Sequence, residues 1–150
     1  MTSHVEIHHG HHDIQTRSSA ASWLVPLGRL LFAFIFLMAS PSHFSSAAIG
    51  YAASQGVPFP ALIVPLSGIL ALVGGLLVAF GFHTRVGAWL LVLFLVPVTL
   101  MMHRFWAAGD PVMMRVQQAM FLKNVSMLGG ALLLAYFGGG PHSMDVRHRR

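Results

Sequence analysis

Gln117-Gln118-Ala119-Met120-Phe121-Leu122-Lys123-Asn124-Val125-Ser126-Met127-Leu128-Gly129-Gly130-Ala131-Leu132-Leu133-Leu134-Ala135-Tyr136-Phe137 is the last long apolar run of the chain. Gly138-Gly139-Gly140-Pro141-His142-Ser143-Met144-Asp145 closes it. An α-helix of about 20 residues crosses roughly 30 Å of hydrocarbon, and this run has that length. Its polar residues gather at the start, which gives the helix a wet end and a dry end. Gln117, Phe121, Asn124 and Leu128 step by four, three and four, so they share one face. Lys123 lies on another face with Met127 and Gly130. The plain reading is that Lys123 snorkels to the headgroups and the amides cap the helix.

Composition supports a membrane setting for the whole chain. Its 150 residues, enough for one domain, are 55% hydrophobic and only 9% charged, with mean hydropathy +0.69. Soluble domains carry about 25% charged residues. The net charge of +5 is spread over helix ends and the C-terminus, so it indicates lipid and orientation rather than nucleic acid. There are no cysteines, which excludes thiolate metal sites, iron–sulfur clusters and dithiol redox steps within this chain.

Three further apolar runs precede the last one. Residues 1–22 form a polar tail that is expected to be disordered. The tail holds His4, His8, His9, His11 and His12, weak candidates for a metal site. With Met1 removed, Thr2-Ser3-His4 would also suit square-planar Cu(II) or Ni(II). The first run is Trp23 to Ala39, with Pro26 in its first turn and Arg29 one turn inside; a signal peptide is the competing reading. Ser40 to Pro60 is a connector rich in breakers, with room for a short surface helix at 42–54. The second run is Ala61 to Phe82, where Ser67, Ala71, Gly75 and Ala79 recur at fours as a small-residue packing stripe. His83-Thr84-Arg85 then makes a tight turn into the third run, Val86 to Met102, interrupted by Pro97. These runs specify an all-α, four-transmembrane-helix antiparallel bundle over residues 23–145, followed by a basic tail at 146–150.

Counting basic residues orients the bundle. Arg17, Arg29, Arg85, Arg147, Arg149 and Arg150 fall on the side of the termini, and Arg104, Arg115 and Lys123 on the other. Six against three predicts cytoplasmic N- and C-termini. His43, His103, Trp106, Gln117, Lys123 and Asn124 then converge at the outer rim, where apolar walls with a few donors suit a quinone or a lipid headgroup. His43 and His103 as a bis-histidine haem site is an unlikely arrangement, because both lie in or beside loops. At the opposite end Arg29, Arg85 and Asp145 are expected to form an ion pair that ties the C-terminal cap under the bundle. No Asp or Glu lies inside an apolar run, which argues against a carboxylate relay.

The order and spacing of several short motifs resemble the DoxX family of small four-helix membrane proteins. They are Gly28-Arg29 with Phe36, Gly74-Gly75-Leu76, Gly81-Phe82-His83-Thr84-Arg85-Val86-Gly87, His103-Arg104-Phe105-Trp106, Lys123-Asn124-Val125-Ser126-Met127-Leu128-Gly129-Gly130 and the Gly138–Asp145 cap. Ala39-Ser40-Pro41-Ser42-His43 departs from the glycine and lysine that many members carry there, with His43 as the substitute. The resemblance implies a four-helix bundle in the plasma (inner) membrane, linked to respiratory or redox complexes.

The leading expectation is a membrane subunit or anchor of a quinone-linked oxidoreductase, not catalytic on its own. In that reading Lys123 and Asn124 bond a quinone oxygen, His103 shuttles a proton and Trp106 packs on the ring. The alternative is a lipid- or small-solute-binding or transport protein with no redox role. A third reading is a structural helper packing through the small-residue stripe. Redox subunits and a second copy of the chain are the candidate partners besides the bilayer.

Overall fold

Local signals at several of the helix ends set which residues reach the two ends of the bundle. A computed structural model of the chain describes residues 20–147. Its long helices are α1 (Leu24–Ala39), α3 (Pro60–Phe80), α4 (Thr84–Met102) and α5 (Pro111–Phe137). A short helix α2 (Ser46–Ser54) lies between α1 and α3, and a last turn, α6 (Met144–Arg147), follows α5. Single 3-10 turns, Ser40–Phe44 and Phe105–Ala107, prolong α1 and α4. With them the apolar spans run 21, 21, 24 and 27 residues, each long enough to cross a bilayer. The expected four-helix membrane bundle is therefore the observed one, and the tail histidines His4, His8, His9, His11 and His12 lie outside the described residues.

α5 starts earlier than its hydropathy suggests. Asp110 stands at the N-cap and accepts a hydrogen bond from the Met113 N–H at 2.7 Å, and Pro111 follows at the first helical position. Gln117 therefore sits nearly two turns inside the helix rather than at its start. α3 stops at Gly81, whose φ of 66° turns the chain, and the Phe82 N–H closes back on the Leu77 carbonyl at 3.0 Å. α2 is capped by Ser45, which accepts from the Ala48 N–H. Pro65 and Pro97 lie inside α3 and α4, and both helices continue through them.

The helices pack in the order α1, α3, α4, α5 around a ring. Lipid offers no hydrophobic drive for helix association, so small residues and close contact must hold the bundle. The expected stripe faces inward: Ala71 is fully buried, Gly75 lies against Leu37 and Phe36 of α1, and Ala79 is buried. Ser67 is the distal member, half-buried, with its hydroxyl donating to the Val64 carbonyl. A tighter crossing lies beside the stripe, where Gly74 of α3 meets Gly87 of α4. A Cβ on Gly87 would come within 2.6 Å of the Leu77 Cβ and 3.0 Å of the Gly74 carbonyl oxygen. Leu91, Leu95, Phe36 and Ala131 fill the interior, while Leu31, Phe34, Leu62, Trp89, Leu93 and Leu133 point out to lipid.

The ring closes most loosely between α5 and α1. Those helices meet where Phe32 lies over Gly130, whose added Cβ would stand 2.9 Å from the Phe32 ring. Gly87→Val is expected to lower the melting temperature in detergent and cost about 1–3 kcal/mol by overpacking. Gly28→Ala, at a position with open space around it, should stay within about 0.5 kcal/mol of the parent. Equal melting curves for the two variants would refute the Gly74–Gly87 contact as a main support of the bundle.

Candidate functional site

The connector after α1 folds back over the end of the bundle away from the termini. Beneath it, between α1, α3, α4 and α5, lies a cavity of about 320 Å³. Its walls are mainly apolar, with Phe36 of α1 and Phe94 of α4 presenting aromatic surface and Ile63, Val98 and Met127 closing the sides. Ala48, Tyr51 and Ala52 of α2 form its cover. Arg104 clasps that cover, donating from Nη2 to the Gln55 carbonyl at 2.9 Å, just past the end of α2.

The polar groups in this wall divide into satisfied and unsatisfied ones. Ser42 and Ser67 donate their hydroxyls to the carbonyls of Ala39 and Val64, so they are spent as donors. His43 lies edge-on to Phe94, with ring centroids 5.6 Å apart. Its Nδ1 is 3.1 Å from the Ala39 carbonyl oxygen, which can only accept, so Nδ1 carries the proton in the neutral ring. His103 Nδ1 is 2.9 Å from Gln117 Oε1, while the Gln117 amide nitrogen faces the Tyr51 hydroxyl and the Met113 sulfur. With that amide orientation His103 also carries its proton on Nδ1. Asn124 is only 4% exposed, and its amide has no hydrogen-bond partner among the described residues. Its amide atoms are open to the cavity rather than sealed off, so they are available for hydrogen bonding there.

Four of the six residues expected at the rim line this one cavity: His43, His103, Lys123 and Asn124. Lys123 stands at the exposed mouth, its Nζ 3.5 Å from the Met120 sulfur. Gln117 acts from behind, positioning His103. Trp106 is 56% exposed and packs its ring on Phe105 and Phe121 outside the cavity wall. Tyr51, Phe36 and Phe94 were not anticipated. The Ser45 cap marks where α2 begins, but no local signal shows that the helix covers a cavity.

At the terminal end, Arg29 is 3% exposed and donates to the backbone carbonyls of Gly139 and His142. Asp145 accepts from the His83 N–H at 2.6 Å and from the Thr84 N–H and hydroxyl at 3.0 and 2.7 Å. Arg29 and Asp145 both tie the cap, but through other partners, and the expected Arg–Asp145 ion pair is not formed among the described residues. Arg85 is exposed beside Gly138. The His142 ring stacks on Trp23 with centroids 4.1 Å apart, sealing the cap to the start of α1.

Comparison with known proteins places this architecture. The family model described as DoxX matches residues 24–104. The chain belongs to the DoxX family. It is 33% identical over 125 residues to the inner membrane protein YqjF of Escherichia coli (strain K12), covering 81% of this chain and 88% of that one. It is 34% identical over 100 residues to the inner membrane protein YphA of the same organism, covering 66% of this chain and 70% of that one. No solved structure matches the chain. The DoxX match takes in α1 to α4, including His43 and His103, and ends before α5, which carries Lys123 and Asn124.

In this DoxX chain the Asp145 cap gives a titration that can be measured. Burial pushes the Asp145 carboxyl up, but the Thr84 hydroxyl, the Thr84 and His83 N–H groups and the nearby His83 charge outweigh it. The carboxyl is held below its ordinary value. A folded value below the unfolded one contributes stability that is present above about pH 4 and is lost as pH falls through the folded value. Asp145→Ala should lower stability at pH 7 by about 1 kcal/mol, the usual worth of a helix N-cap. Melting curves between pH 7 and 3 should show an acid-side loss in the parent that shrinks in the variant; the same acid slope in both would exclude Asp145 as its source.

Proposed function

We propose that this DoxX chain is a membrane subunit or anchor of a quinone-linked oxidoreductase system and holds the head of an isoprenoid quinone in its distal cavity. The observation that carries the reading is Asn124, a buried amide with no partner, on the wall of an apolar cavity that also presents two imidazoles. About 300 Å³ is the lower end of ligand-pocket sizes and suits a single ring. Phe36 and Phe94 supply the ring contact expected of Trp106. Asn124 donates to one ring oxygen, and the free Nε2 of His103, held by Gln117, accepts from the other where that oxygen carries a hydrogen. The loose seam between α1 and α5 lets an isoprenoid tail pass into lipid. This chain contributes no redox group of its own, so electrons belong to a partner. The inner-membrane location of YqjF and YphA extends to this chain in the same proposal.

One observation favours a second reading, a lipid- or small-solute-binding protein without redox role. Lys123 at the mouth is placed to meet a phosphate headgroup, with an acyl chain in the cavity. Purification in mild detergent followed by mass spectrometry of the bound material separates the two. The quinone reading expects near-stoichiometric quinone, reduced about tenfold in Asn124→Leu with the melting temperature held. Phospholipid alone, unchanged by Asn124→Leu, would replace it with the second reading.

The basic residues place both termini in the cytoplasm in this reading. With no native cysteine, a single Gly109→Cys reports the loop between α4 and α5, where added side-chain atoms meet open space. A membrane-impermeant maleimide should label it from outside intact spheroplasts. Labelling only after lysis would reverse the orientation.

A further inference from the structure

Resting on the quinone reading, we infer that the cavity selects a hydroxylated aromatic head, the diol form of the ligand, over the corresponding dione. The ground is the donor and acceptor inventory of the wall. His43 and His103 each place the proton on Nδ1, bonded to Ala39 and Gln117, which leaves both Nε2 lone pairs without a partner among the described residues. Ser67 has spent its only hydrogen on Val64 and can only accept. On the cavity lining five acceptors, the two Nε2 atoms, the Ser42 and Ser67 hydroxyl oxygens and Asn124 Oδ1, therefore stand against one donor group, the Asn124 amide nitrogen. The other free donors, the Tyr51 hydroxyl and Lys123, belong to residues more exposed to solvent, at the cover and the mouth.

A dione carries two oxygens that only accept. It pairs with Asn124 and the mouth donors, and leaves both imidazole lone pairs dry. A diol carries two hydroxyls, each of which donates once and still accepts. It satisfies His43 and His103 through its hydrogens and Asn124 through a lone pair. Leaving a buried acceptor unpaired weakens binding by on the order of tenfold per group. A polar site of this kind discriminates by what it leaves unpaired more than by shape, since diol and dione differ little in size.

The test measures affinity of the intact protein, in lipid nanodiscs under anaerobic conditions, for three probes. They are a short-tailed benzohydroquinone, the matching benzoquinone and the bis-O-methyl ether of the diol, which keeps the ring and loses both donors. The hydroquinone should bind at least about tenfold tighter than the quinone, with the ether as weak as the quinone. His43→Phe and His103→Phe should each narrow that ratio; the ether result on the parent protein stands even where a variant fails to fold. Equal or tighter binding of the quinone, or an ether as tight as the diol, overturns the preference while leaving the quinone reading intact. No binding of any probe overturns both.

Discussion

A guanidinium buried at the terminal end joins the first membrane helix to the last loop, and the open distal end depends on it. Arg29 is almost fully covered, one turn inside α1. A cation there is costly unless its donors are met. The carbonyls of Gly139 and His142 meet Nη1 and Nη2, while Nε has no partner among the described residues, and a loop can only bring carbonyls that close where it has no side chains in the way. A Cβ on Gly81 would lie 2.6 Å from Arg29 Nη1, and one on Gly139 would strike the Thr84 hydroxyl. The glycines are thus a consequence of the arginine. Asp145, freed from pairing with Arg29, caps α4 instead, so one short loop fastens α1, α4 and α5 together.

That fastening decides where the bundle can be loose. α1 packs on α3 along its length, but meets α5 only lightly, at Phe32 over Gly130 and through the cap. With one end pinned by Arg29 and the middle by that contact, the distal halves of α1 and α5 need not touch. The space between them is the cavity. Pro97 adds to it from the α4 side, because its ring removes one backbone hydrogen bond at the cavity wall. The small-residue crossings of α3 with α1 and α4 do the opposite work, drawing three backbones close where side chains would hold them apart.

Four spans and their antiparallel order were legible in the sequence because hydropathy and length report directly on the bilayer. The small-residue stripe from Ser67 to Ala79 was legible for the same reason, since only an inward face needs it. Gly74 against Gly87 was not, because a glycine in a helix gives no local sign of which partner it admits. The start of α5 was misplaced by counting apolar residues; Asp110-Pro111 was the better signal, as a cap acts through backbone geometry and not hydrophobicity. At the site, helix spacing brought Gln117 and Asn124 to one face, and the structure puts Asn124 on the cavity wall and Gln117 behind it, bonded to His103. Trp106 failed as a ring contact since its short turn directs it onto Phe105 and Phe121.

The division between satisfied and unsatisfied polar groups is the part no sequence pattern carries. Ser40, Ser42, Ser67 and Thr99 all sit in apolar surroundings, and each returns its hydrogen to a nearby carbonyl of its own turn. Such residues are silent in lipid: they are polar by composition and paired by conformation. Asn124 makes no such bond among the described residues. An imidazole can satisfy one nitrogen locally and still present the other, as His43 and His103 do. The amide and the two imidazole lone pairs that the described residues leave open lie beside an apolar, ring-sized space, and they are the groups that the proposed ligand head would meet.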